Sequence, residues 1–142
     1  PTTGLDPQAR HQVWEKLEDL KAGGLTILLT THYMEEASRL CDRLVIMDRG
    51  RVLIEGEPQK LIREKVGKNV IEITRPTAQL RALAAAEKLD HEDLGHRRII
   101  YGRDGDETFR RIGETCGVEG CLLRTATLED VFLKLTGREL RD

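Results

Sequence analysis

The run Leu25-Thr-Ile-Leu-Leu-Thr30, directly after Gly23-Gly24, constrains this 142-residue chain more than any other stretch. It is short, aliphatic and without polar alternation, the pattern of a strand covered on both faces in a parallel sheet. The preceding segment reads as a helix. Asp6 stands before Pro7, a good N-cap before a proline at the first helical position, and Val13, Trp14, Leu17 and Leu20 then recur at helical spacing until the glycines stop them. Helix followed by buried strand predicts an α/β fold for the first half. No apolar run approaches the roughly 20 residues of a membrane-spanning helix.

Charge narrows the function. Lys and Arg total 23 against 25 Asp and Glu, a net charge of -2, so the chain has no general attraction for phosphate backbones or anionic lipid, and nucleic acid is not expected as a partner. Three cysteines, Cys41, Cys116 and Cys121, form no CxxC pair and fall in or beside apolar segments, which predicts reduced, buried thiols. The first residue is Pro1, and the chain reads as beginning inside a longer protein.

Further along, Met34, Ala37, Leu40 and Cys41 mark a short helix. Two strands, Arg43 to Met47 and Arg51 to Glu55, join through Asp48-Arg49-Gly50 as a hairpin. Pro58 opens another helix that Gly67 ends. The character then changes, and two domains are expected, residues 1–67 and 68–142. The second reads as strand (Val70 to Thr74), helix from Pro76-Thr77, a hairpin around Asp90 to His96 leading into Arg97 to Tyr101, helix (Asp106 to Cys116), strand (Val118 to Arg124) and a last helix capped by Thr127. That βαββαβα order predicts a small α+β ferredoxin-like accessory domain.

His32 is the residue that most invites a chemical role. It follows Thr30-Thr31 at the carboxyl end of the expected strand, where ligands of open α/β sheets bind, and an imidazole there can donate to a phosphate oxygen. Position alone fits a plain strand-to-helix connection equally well. The neighbours decide. Pro1-Thr-Thr-Gly-Leu-Asp-Pro-Gln-Ala-Arg10 resembles the D-loop region of ABC-type ATPases, Leu-Leu-Thr-Thr-His32-Tyr-Met-Glu-Glu-Ala37 resembles their switch-histidine segment, and Cys41 to Pro58 continues in the same manner. Ala126-Thr-Leu-Glu-Asp-Val-Phe-Leu-Lys-Leu-Thr-Gly137 resembles the tail of ATP-binding subunits of ABC-2 type exporters, the daunorubicin-resistance and nodulation-factor group.

The resemblance implies that residues 1–67 complete the C-terminal part of a P-loop NTPase core. It implies that His32 contacts the γ-phosphate of ATP, and that Gly4, Leu5 and Asp6 form a D-loop at the interface of two ATPase subunits. ATP and Mg²⁺ would be the cofactors of the full-length protein. Its partners would be a second ATP-binding subunit and a membrane permease, on the cytoplasmic face of the cell membrane. No G-x-x-x-x-G-K-[ST] phosphate loop, signature sequence or Walker B strand is present, so this chain alone is expected neither to hydrolyse nor to hold ATP. The competing readings are a soluble, non-transport ABC ATPase and a ferredoxin-like regulatory or interaction module.

Other clusters read more plainly. His91 and His96 with Asp90, Glu92 and Asp93 fit no common zinc spacing and suit a solvated hairpin. The Arg97-Arg98 and Arg110-Arg111 pairs lack aromatic interleaving and read as surface charge, while Trp14 and the Leu128, Val131, Phe132, Leu135 stripe read as core. An aliphatic strand at 25–30 without its neighbours is expected to make the isolated chain self-associate.

Overall fold

The computed structural model describes residues 1–74, 76–86, 88–102, 105–116 and 119–137. They form two compact units, one from Pro1 to Pro58 and one from Gln59 onward, a division that falls ahead of Gly67.

In the first unit, helix α1 spans Pro7–Ala22 and helix α2 spans Met34–Leu40. The α1 start follows the sequence logic: Asp6 has extended backbone and its carboxylate accepts from the Ala9 amide at 2.9 Å, satisfying a donor the helix leaves open. At the other end Gly23 N–H donates to the Asp19 carbonyl and Leu25 N–H to the Leu20 carbonyl. Trp14 is 1% exposed, whereas Leu20 is exposed, so the core-facing stripe of α1 is narrower than its sequence implied. Strands β1 (Leu44–Asp48) and β2 (Arg51–Gly56) form the expected hairpin. Arg49 (φ 49°) and Gly50 (φ 73°) both have positive φ, the two-residue turn whose twist matches an antiparallel pair. Ile46 points inward, and Val45, Met47 and Val52 remain exposed.

The expected strand at 25–30 is not formed. The segment is irregular, and Leu28 is 97% exposed. A strand in the middle of a parallel sheet exists only through ladders on its flanks, and the described strands of this unit, β1 and β2, pair with each other instead. Both sheets formed by the described residues are antiparallel.

The second unit contains helices α3 (Pro58–Lys65), α4 (Ala78–Ala86), α5 (Gly105–Cys116) and α6 (Leu128–Thr136) with strands β3 (Asn69–Thr74), β4 (Asp90–Asp93), β5 (Arg97–Gly102) and β6 (Cys121–Thr125). Its sheet runs β4-β5-β3-β6. With element order β-α-β-β-α-β before α6, this is the split βαβ arrangement. Alternation along β3 divides the two faces. Ile71 and Ile73, with Ile100 of β5, bury against Leu80 of α4 and Ile112 of α5. Each such side chain contributes about 1.5–3 kcal/mol by leaving water. The opposite face carries Glu72, Arg97, Ile99, Tyr101 and Arg124, and α6 lies over it: Asp130 grips Arg124, and the Lys134 ammonium sits 4.6 Å from the Tyr101 ring centre.

Two expectations about side chains are corrected here. Cys41 and Cys121 are only half-buried, Cys121 packing on the edge of the core cluster, while the side chain of Cys116 is outside the described set. Leu128, Val131 and Phe132 of the α6 stripe are buried, with Leu133 beside them, but Leu135 is exposed near the helix end.

Candidate functional site

The segment Thr2 to Asp6 is a tight turn leading into α1. Leu5 N–H donates to the Thr2 carbonyl at 3.2 Å, and Gly4 has φ 81°, the left-handed conformation that the third residue of such a turn requires. Gly4, Leu5 and Asp6 are exposed. The Asp6 carboxylate is engaged in its cap, so that role is satisfied within the unit.

His32 lies in the loop between the irregular 25–30 segment and α2, also exposed. Two contacts order the loop. Thr31 Oγ1 accepts from Tyr33 N–H at 3.0 Å, a local turn that a threonine after a strand-like run readily makes. The imidazole packs on the Tyr33 ring, centroids 4.5 Å apart, and the Arg10 guanidinium of α1 lies over the same ring at 4.8 Å. A cation over an aromatic face is favourable, so the Tyr33 ring beside His32 is held from α1.

Between these segments sits Glu36 of α2, fully buried. Its Oε1 accepts from Thr2 Oγ1 and from Trp14 Nε1, each at 2.9 Å, and its Oε2 lies 3.1 Å from the Pro1 nitrogen. Burial acts to raise its pKa. The polar groups of Thr31, Trp14 and Thr2 around it more than offset this and hold the carboxyl below the ordinary glutamate value. Around that centre α1 and α2 are clasped at the surface. Arg39 makes two hydrogen bonds to the Glu18 carboxylate, at 2.8 and 3.1 Å, and lies over the Trp14 ring, and the Lys21 ammonium donates to the Leu40 carbonyl.

Glu36 escaped the sequence reading. The available signal was its place four residues before Leu40, on the apolar stripe of a short helix, where a carboxylate has no reason to stand unless it is paired.

A cleft of about 30 Å³ between Arg97, Ile99, Arg124, Asp130 and Leu133 has room for little more than water, and its arginines are already paired with Glu72 and Asp130. Among the described residues, no three His, Cys, Asp or Glu side chains gather as a metal-binding group. In the His91 cluster, Nδ1 of His91 lies 2.7 Å from the Leu89 carbonyl, and Asp93 is taken up by Arg81, Arg98 and the Gly95 amide. The residues present include no G-x-x-x-x-G-K-[ST] phosphate loop. What they offer is an exposed imidazole and an exposed turn, held to a common scaffold.

Comparison with known proteins identifies that scaffold. Residues 76–137 match the family described as Nodulation factor export protein NodI, C-terminal domain. All of the chain aligns with Nod factor export ATP-binding protein I of Ralstonia nicotianae at 49% identity, covering 46% of that protein. The relatives from Burkholderia lata and Rhizobium meliloti are each 50% identical over the whole chain, which covers 47% and 42% of them. The chain is thus similar over its whole length to the C-terminal part of ABC transporter ATP-binding proteins. It aligns with the C-terminal part of the Nod factor export ATP-binding proteins I and spans less than half the length of these relatives. The resemblance drawn from the D-loop, switch-histidine and tail segments is borne out. No described helix is long and apolar enough to cross a membrane.

Proposed function

We propose that this chain is the C-terminal part of the ATP-hydrolysing subunit of an ABC-type exporter. In this reading residues 1–67 finish the nucleotide-binding core and residues 68–142 form an accessory domain. The observation that carries the reading is near-half identity to export ATP-binding proteins over every residue of the chain, including the turn at Gly4 to Asp6 and the loop at His32.

In the assembled subunit ATP would supply the phosphoryl group, and Mg²⁺ would serve to neutralise its charge. His32 donates a hydrogen bond toward the γ-phosphate, where charge accumulates, and needs no proton transfer to do so, because positioning and charge stabilisation carry most of phosphoryl transfer. Its exposure leaves the ring free for that contact, with Tyr33 supporting the other side. Gly4, Leu5 and Asp6 present backbone and side chain to a second ATP-binding subunit. A separate permease spans the membrane, so the subunit sits at the cytoplasmic face.

The test is ATP turnover measured side by side for the full-length subunit and for the 142-residue chain. Turnover by the full-length protein with phosphate release at buffer level for the chain supports the reading. Phosphate release by the chain alone, abolished by His32→Ala, contradicts it.

A further inference from the structure

We infer that Glu36 is a positioning residue that locks the Thr2–Asp6 turn to the Thr31–Tyr33 loop, so that the two candidate nucleotide-facing segments move as one. The inference rests on the reading of those segments given above.

A carboxylate taken wholly out of water is expensive unless its oxygens are hydrogen-bonded. Glu36 is fully buried, and its donors come from the pieces that flank the candidate site. Thr2 lies two residues before Gly4 and opens the turn whose carbonyl receives Leu5 N–H. Trp14 belongs to α1, the helix that Asp6 caps. Thr31, the residue before His32, accepts from Tyr33 N–H through its Oγ1, and Tyr33 is the N-cap of α2, the helix that carries Glu36. The Thr2 and Trp14 hydrogen bonds converge on one oxygen atom from 34 and 22 residues away in sequence. One rigid acceptor shared by two donors permits little independent movement of either. A helix-packing role alone would need only the Trp14 contact; the Thr2 contact reaches out of the helix pair to the turn. A second connection runs in parallel, since Arg10 of α1 lies over the Tyr33 ring that supports His32.

The substitutions that separate these roles are Glu36→Gln, which keeps the acceptor oxygen, and Glu36→Met, which keeps the volume and removes it. Both are made in the 142-residue chain and followed by ¹H–¹⁵N spectra and by exchange of the Trp14 indole proton. Glu36→Met should speed that exchange roughly tenfold or more, the factor a hydrogen bond to a charged acceptor is worth. It should also displace the amide signals of Gly4 and Asp6 together with those of His32 and Tyr33, while Glu36→Gln leaves both groups near their native positions. Displacement confined to Trp14, or equal disruption by Gln and Met, overturns the inference. Should Glu36→Met fail to fold, Thr2→Val decides, being isosteric and remote in sequence from the loop: movement of the His32 and Tyr33 amides supports the coupling and their constancy overturns it. If the coupling is found but His32→Ala leaves ATP turnover of the full-length subunit unchanged, the nucleotide reading fails and the coupling stands.

Discussion

Arg124 and Asp130 face each other in a two-pronged ion pair, Nη1 to Oδ2 and Nη2 to Oδ1, both at 2.8 Å. The same carboxylate accepts from the Thr127 amide and hydroxyl at 2.8 and 3.0 Å, so one buried aspartate both caps α6 and pins it to β6. Parallel N–H···O pairs of this kind are the strong members of their class.

Asp130→Ala should therefore lower the unfolding free energy of the second unit by about 2–4 kcal/mol, combining a lost cap with an arginine left short of its partner. Urea denaturation followed by circular dichroism reads this as a lower midpoint. An unchanged midpoint would show that solvent replaces the pair at no cost.

Glu72 gives the acid limb of stability its sign. Burial acts to raise its pKa, and hydrogen bonds from Arg124 and Arg97 reverse this and hold it below the ordinary value of 4.5. The folded state then binds fewer protons than the unfolded one in that region. Its stabilising contribution is fully present above the unfolded value and is lost as pH falls through the folded value. Glu72→Gln should flatten the fall of melting temperature below about pH 4.5. Identical pH profiles for the variant and the native chain would contradict this.

The fold was legible wherever the deciding physics is local. Asp6-Pro7, Asp48-Arg49-Gly50 and Thr127 each specify a cap or turn within a few residues, and each stands where expected. The sequence reading failed where state depends on distant partners. Leu25 to Thr30 has the composition of a buried strand, but a strand is made by its neighbours, and the described strands of its unit are paired elsewhere. Glu36 stands on the apolar side of α2, but its partners Thr2 and Trp14 are 34 and 22 residues away in sequence, beyond the reach of any local pattern. His32 and the Gly4 turn were found through resemblance to a family; the scaffold joining them was not.

The exposed Leu25 and Leu28, with Val45, Met47 and Val52 on the hairpin, should make the isolated chain associate through its first unit. Light scattering should give a mass that rises above the monomer value with concentration, and Leu28→Glu should return it toward the monomer. A strictly monomeric native chain at high concentration would refute the expectation.

The proposed contact of His32 with the γ-phosphate in the assembled ATP-binding subunit is open to direct test. The most direct measurement is steady-state ATP hydrolysis by the full-length subunit with and without His32→Ala. His32→Ala should lower kcat by about 10²–10³ while KM for ATP changes little, as expected for a donor that acts on charge developing in the transition state. A variant that retains native kcat would contradict it.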